Sequence, residues 1–399
     1  MLKKTLFSLL FTTALFAGGY KIPETSLNAV ALSAAGVAHA NGADAAYYNP
    51  ANMVFTRDEN IIEAGIIYVG LNDINYQGSY RSSLGITSGY DIESKKEHFY
   101  IPSFHFVSKE IDGARYGLSI VSPAGLSKRW ENVPAIYSAE EFTLKTVEVN
   151  PSAAFALNDK LSAAIGVRAV YTKGIVKSTS PIASRDMSGD SIDFGYNLAL
   201  SYKPTENFET ALTYRSKVDL SVKGDASLLY TDMTNAFGGG VGTSYASNSG
   251  ASVNVVIPAL LNFALAYTFL DKTTVEFVYE RNFWHAYSEL DFNYGYGVNS
   301  VTDIVFGTPV AKNWRDTDVF RLGITQKLDK LTLMGGLVID ETPIPNSTLS
   351  FELPGSDSVS VSLGARYEVS KKVNLGLAAL YSMREGREVL NGSLEGEVK

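Results

Sequence analysis

The 399-residue sequence has no cysteine, which excludes disulfide staples and thiolate metal sites. It has no run of about 20 apolar residues, the length a helix needs to cross a bilayer. Charge is sparse, with 19% of residues charged and a net charge of −8, and that balance argues against a nucleic-acid surface. Only four histidines occur (His39, His98, His105 and His285), and none has the spacing of a metal-binding pair. No G-x-S-x-G elbow is present. The stretch Gly238-Gly239-Gly240-Val241-Gly242-Thr243-Ser244 lacks the lysine of a phosphate-cradling loop and reads as an external loop. These absences point to a protein with no catalytic residues, metal or cofactor, and to a function other than an enzyme's.

Alternation and aromatics fill the space that the absences leave. From Ser358 to Val369, Val359, Val361, Leu363, Ala365, Tyr367 and Val369 share one face, opposite Ser358, Ser360, Ser362, Gly364, Arg366 and Glu368. That period of two is a β-strand with one apolar and one polar side. The same pattern repeats along the chain and predicts thirteen strands. They are 61–71, 99–108, 115–122, 143–157, 161–177, 191–202, 208–222, 253–269, 273–288, 318–328, 331–340, 357–369 and 373–383.

Connections between these strands alternate short and long, as in an outer-membrane barrel with tight periplasmic turns and long outer loops. The 23 tyrosines and 20 phenylalanines suit the aromatic girdles of such a barrel. The fold class is therefore all-β, a transmembrane antiparallel β-barrel. Thirteen is odd, whereas single-chain bacterial barrels close with an even count. An open edge in lipid leaves backbone groups unpaired at several kcal/mol each. A fourteenth, last strand is thus expected to be missing from this sequence.

The N-terminus predicts export. Lys3 and Lys4 precede the apolar run Leu6 to Phe16 and the small residues Ala17-Gly18-Gly19, which is the make-up of a signal peptide. The domain reading is a signal peptide over 1–17, a small-residue segment over 18–56 and the barrel over 57–399.

Several short motifs occur in order along these strands. They are Asn49-Pro50-Ala51, Pro102 to Val107, Ser122-Pro123-Ala124-Gly125-Leu126, Tyr214-Arg215-Ser216, Arg315-Asp316, Asp340 to Pro345, and Leu353 to Asp357. On these residues the chain resembles the FadL/TodX-type (OMPP1) family of outer-membrane transporters for long-chain fatty acids and hydrophobic compounds. The resemblance implies a fourteen-stranded barrel, with residues 18–56 as an N-terminal hatch closed by Asn49, Pro50 and Ala51. It further implies an inward kink in the third strand, near Gly117, Pro123 and Gly125, that opens the wall sideways. The implied function is passive uptake of hydrophobic molecules by lateral diffusion; a general porin for polar solutes or an outer-membrane lipolytic enzyme are the alternatives. Expected partners are fatty acids, other lipids or hydrocarbons, and the surrounding lipid and lipopolysaccharide. The protein is expected to act as a monomer.

A carboxylate head group in a dry tube needs a cationic or hydrogen-bonding partner. Counting alternation back from Phe320, Leu322 and Ile324 puts Arg315 and Arg321 on the lumen side. The resemblance implies Arg315 as the carboxylate contact. Lys173 and Lys177 are further candidates, although strict alternation points both away from the lumen unless a bulge intervenes. The family's pattern implies a long loop after the fifth strand that helps build an outer docking groove; here the loop 178–190 is short, so capture is expected to rest on the loop 123–142, with Trp130, Val133, Ile136 and Tyr137, and on the loop 223–252.

Overall fold

A computed structural model of the chain describes residues 18–82, 85–233, 242–295, 298 and 300–399. The expected signal peptide and most of the glycine-rich stretch at 238–244 lie outside these residues. The wall is built from antiparallel strands joined largely to their sequence neighbours.

In chain order the strands are β1 (Ile61–Leu71), β2 (Asn75–Arg81), β3 (Thr87–Glu93), β4 (Glu97–Val107), β5 (Ala114–Val121), β6 (Gly125–Arg129), β7 (Glu141–Asn158) and β8 (Leu161–Thr179). There follow β9 (Ala183–Tyr202), β10 (Phe208–Arg215), β11 (Val218–Asp232), β12 (Thr243–Ile257), β13 (Ala259–Phe269), β14 (Thr273–Phe283), β15 (Glu289–Leu290) and β16 (Phe292–Tyr294). The last are β17 (Val310–Ala311), β18 (Thr317–Leu328), β19 (Leu331–Asp340), β20 (Ser358–Ser370), β21 (Val373–Arg384), β22 (Arg387–Asn391) and β23 (Leu394–Val398).

Each expected strand has its counterpart, with β5 and β6, β10 and β11, and β12 and β13 as interrupted pairs within one wall strand. Pairing runs from β1 through β4 and on to β21. Among the described residues, β1 and β21 are each paired along one side. Both run in the same direction.

Side-chain polarity is the reverse of a soluble core. On β20, Ser358, Ser360 and Ser362 are buried while Val359, Val361 and Leu363 are exposed, Leu363 by 73%. Ile66, Phe194 and Leu377 likewise face outward. An apolar outer surface over a polar interior is what lipid outside and a filled lumen inside require. No described helix is long and apolar enough to cross a membrane.

Two strands run well past their expected limits. β8 continues to Thr179 and β9 starts at Ala183, leaving a turn of three residues where a loop over 178–190 was expected. The residues after β1 are not a plain loop either. β2 and β3 form a hairpin whose free edge takes β23, with β22 beyond it, as a four-stranded sheet at the barrel's long-loop end.

Candidate functional site

Residues 18–56 lie against inward-facing residues from strands all around the wall. Ser26 caps the short helix α1 (Leu27–Ala31), its Oγ accepting from the Ala29 N–H at 3.1 Å and donating to Asp44 at 2.8 Å. α1 rests on β19 to β21, where glycines of the wall give it room and Ser362 and Arg366 hydrogen-bond to it. A Cβ on Gly336 would sit 2.2 Å from the Leu32 carbonyl carbon, and one on Gly376 2.1 Å from Leu27 Cδ1's twin, Cδ2.

Further along, Glu276 accepts the N–H groups of Val37, Ala38 and His39 at 2.6, 2.6 and 3.1 Å. The helix α2 (Ala45–Tyr48) leads into Asn49. Asn49 is fully buried and donates from Nδ2 to the Val37 carbonyl at 2.7 Å and to Ser201 Oγ at 2.8 Å. Pro50 opens a 3-10 turn, as its preset φ favours. Ser162 Oγ then donates to the Ala51 carbonyl at 2.8 Å. Asn49, Pro50 and Ala51 therefore tie this segment to β8 and β9.

Two buried ionic groups fix the segment at mid-height. Glu148 accepts from Arg168 Nε and Nη2 at 3.0 and 2.9 Å and also pairs with Arg215, whose guanidinium lies 4.1 Å over the Tyr47 ring. Lys21 reaches Glu280 and Asn282, each at 2.5 Å. Arg321 donates to the Ser33 carbonyl at 2.9 Å and lies 3.5 Å from Glu280. Charges this deeply buried persist only when they are paired and hydrogen-bonded.

The wall parts beside β6. β5 pairs with β4 only from Phe104–Ile120 to Val107–Gly117, then Ser122, Pro123 and Ala124 bend the chain before β6 begins. Among the described residues β6 pairs with β7 and has no ladder to β4. The bend pairs instead with the N-terminal segment. The Ile22 N–H donates to the Pro123 carbonyl and the Gly125 N–H to the Tyr20 carbonyl, both at 2.9 Å.

Above the gap the two chain segments are rejoined. Arg129 donates twice to the buried Glu97, at 2.7 and 2.6 Å, and the Lys95 N–H donates to the Arg129 carbonyl at 2.9 Å. A seam remains between residues 98–103 and the bent strand. The kink thus centres on Pro123 and Gly125. Gly117 is paired on both sides and seats the N-terminal segment, since a Cβ there would come within 2.6 Å of Met53 Sδ and 2.8 Å of Ala46 Cβ.

Directly inside the bend lies an apolar slot walled by Tyr20, Leu126, Leu144, Val222, Val255 and Trp314. Its cavity volume is about 40 Å³. The slot is therefore narrow and apolar, and as it stands smaller than the small-molecule sites of about 300–1,000 Å³. Tyr20 packs edge-on to Trp284 and Tyr287, at 5.1 and 6.1 Å between ring centres. The ionic members of its lining are Lys312 and Glu352, which pair with each other.

The structure separates the four basic residues singled out from the sequence. Arg321 is lumenal, as alternation requires, but bound to Ser33 and Glu280. Arg315 is exposed and lines a polar pocket of about 510 Å³ with Asp316, Glu341, Asp357, Glu385 and Arg387. The inward placement of Arg315 is thus corrected: β18 starts at Thr317, and counting parity back past a strand's first residue has no meaning.

Lys173 and Lys177 point outward. The β7–β8 ladder is uninterrupted around them, and Lys177 lies 3.4 Å from Asp186. Trp130 is buried rather than displayed for capture, its Nε1 donating to the Phe351 carbonyl at 3.0 Å. Lys312 and Glu352 were missed because both sit in long connections, where periodicity says nothing about direction.

Comparison with known proteins agrees with this geometry. Residues 8–393 match the family model described as outer membrane protein transport protein (OMPP1/FadL/TodX). The long-chain fatty acid transport protein of Salmonella typhi is 24% identical over 446 residues, covering 100% of this chain and 96% of that one. Outer membrane protein P1 of Haemophilus influenzae is 24% identical, covering 97% and 92%. Among solved structures, a Pseudomonas aeruginosa FadL homologue superposes with a TM-score of 0.81 at 20% identity, covering 96% of this chain and 97% of that one. The Pseudomonas putida toluene transporter TodX does so with 0.73 at 19% identity, covering 96% and 95%.

Proposed function

Since the chain belongs to the outer-membrane protein transport family (OMPP1/FadL/TodX), we propose that it is a passive outer-membrane channel for hydrophobic molecules, releasing them sideways through its wall. Cargo enters from the long-loop end, lodges in the slot, and leaves through the seam between β4 and β6 into the outer leaflet. Residues 18–56 act as a hatch that closes the path straight through the lumen. The observation that carries this reading is the coincidence of an apolar slot, a parted wall and a filled lumen around one bent strand.

The energetics favour such a route. A chain of about sixteen carbons gains about 0.8 kcal/mol per methylene removed from water, or about 12 kcal/mol in all. A water-filled pore forfeits that gain; an apolar slot that opens onto lipid keeps it at every step. For an acidic cargo, Lys312 is the head-group contact within the slot, with Glu352 as the counter-ion that it exchanges. Arg315, outside the slot in the polar pocket, meets the head group earlier, on entry.

Long-chain fatty acids and monoaromatic hydrocarbons are both fitting cargo classes, because the slot selects for apolar cross-section. The test pairs single-channel recording with uptake of labelled palmitate and toluene into cells lacking other such channels. Little steady ion current together with saturable uptake is expected. A large steady current without hydrophobe uptake would overturn the proposal in favour of a porin for polar solutes.

A further inference from the structure

The outward face of the wall carries a row of charge that the cargo route leaves unused. Lys145 on β7 lies directly opposite Lys173 on β8, Lys173 opposite Asp190 on β9, and Asp190 opposite Lys223 on β11. All four are exposed and alternate with buried neighbours such as Leu144, Thr172 and Val222, so they point away from the lumen. Further up the same strands, Lys177 has acids at hand, 3.4 Å from Asp186 and 3.8 Å from Glu141. Among the described residues, by contrast, no carboxylate lies within 4 Å of the Lys145, Lys173 or Lys223 ammonium group. Like charges directly opposite each other on a sheet are destabilising, and an anion shared by Lys145 and Lys173 removes that cost.

The height of the row in the wall says which anion fits. The next outward row toward the periplasmic turns is Val147, Tyr171 and Ile192, all exposed. From Ile192 to Tyr202 every second residue of β9 is exposed, and each is aromatic or aliphatic. At about 3.4 Å per residue and a tilt of about 40°, this stretch covers about 25 Å of height, which is the apolar band of a membrane barrel. The lysines therefore stand at the outer edge of the hydrocarbon, on the long-loop side, at the level of lipid phosphates. Another sector of the rim has the reverse charge. Just beyond the exposed row of Phe320, Ile339, Val359 and Met383 come Glu341, Asp357 and Glu385, all exposed.

We propose that Lys145 and Lys173, with Lys223 at their flank, hold the phosphorylated head of one lipopolysaccharide molecule of the outer leaflet. Its acyl chains lie along Val147, Tyr171 and Ile192. Asp190 offsets one of the three cations, and the surplus matches a phosphate. On its other side Lys145 faces Gly125 of the bend, which has no side chain to compete for the ammonium group. The site stands outside the slot and the seam, so its test is independent of sideways release.

The test measures binding of lipid A, the phosphorylated anchor of lipopolysaccharide, to the full-length protein in non-ionic detergent. Dephosphorylated lipid A and phosphatidylglycerol serve as comparison ligands. The double variant Lys145→Gln/Lys173→Gln should bind lipid A about tenfold more weakly or worse, as expected when two cations at a lipid surface are lost. Its affinity for the dephosphorylated lipid should stay within about twofold of wild type, and Lys177→Gln should keep lipid A affinity within the same margin. Unchanged lipid A affinity in the double variant, or an equal loss for the dephosphorylated lipid, overturns the site. Phosphatidylglycerol binding as tightly as lipid A would overturn the assignment to lipopolysaccharide.

Melting curves guard against a misfolded variant. Without lipid the double variant should melt no lower than wild type, because it loses two facing like charges. Lipid A should raise the Tm of wild type and not that of the variant. A lower lipid-free Tm of the variant, or equal shifts in both proteins, counts against the site.

Discussion

Two seams of the same wall differ sharply. Between β8 and β9 the ladder runs unbroken from Leu161–Tyr202 to Thr179–Ser184, and nothing from the lumen intrudes on its backbone pairing. Between β4 and the β5–β6 strand the ladder stops at Phe104–Ile120, and the freed edge turns inward to pair with residues 20–22. The contrast shows how the bent strand keeps its backbone paired where it leaves the ladder. Unpaired groups are tolerated at membrane depth only where protein covers them, and here the chain's own N-terminal segment supplies the cover.

The largest expected effect comes from making the parted seam like the sealed one. Deleting Ser122, Pro123 and Ala124 removes the bend and lets β6 continue in line with β5. Uptake of both palmitate and toluene should fall by more than about tenfold, about 1.4 kcal/mol or more in effective barrier, while ion current stays low. Undiminished uptake would show that the cargo leaves by another way.

A second change attacks what holds the filler in place. Glu148→Ala strands Arg168 and Arg215 in a buried site, at about 3–5 kcal/mol of stability. Chemical denaturation should read this as a lower midpoint, and single-channel recording as added leak current. A Glu148→Gln change that cost nothing would mean that the two arginines are satisfied by other groups.

Lys312→Met should weaken palmitate binding about tenfold and leave toluene binding within about twofold. This sharpens the comparison by separating head-group recognition from the apolar route, since the seam itself does not distinguish the two. Equal loss for both ligands would make Lys312 a packing residue of the slot.

The smallest effect compares adjacent glycines on β19. Gly336→Ala drives a methyl into Leu32 of the N-terminal segment and should cost about 1–3 kcal/mol, with a measurable leak. At Gly335 the nearest atom is an outward leucine tip at 3.5 Å, so Gly335→Ala should change neither stability nor leak. Similar behaviour of the two variants would remove the close fit of α1 against the wall.

The wall strands were legible because alternation is a local property. Ser358 to Val369 announces its two faces without knowledge of any neighbour. The bend was legible through Pro123, which cannot donate to a ladder, and Gly125. Gly117 misled because a strand glycine marks either a bend or a close approach, and only the position of Met53 decides between them. Arg315 misled because alternation stops where β18 starts. The pairing of β2 with β23 brings Asn75 to Lys399, a contact that no sequence period encodes. Lys312 meets Glu352 for the same reason: the two lie on different loops, and only the folded outer end brings them together.

The lateral route is tested most directly by photolabelling the intact protein with a fatty acid that carries a diazirine along its chain. Labels should fall on slot residues such as Leu126, Phe142 and Trp314 and on the seam edge around Tyr100 and Pro102. Ala46 and Met53 of the N-terminal segment, and Ser162 of the wall beside it, should stay unlabelled. Heavy labelling of those three residues, with none at the seam, would contradict sideways release and point to passage straight through the lumen.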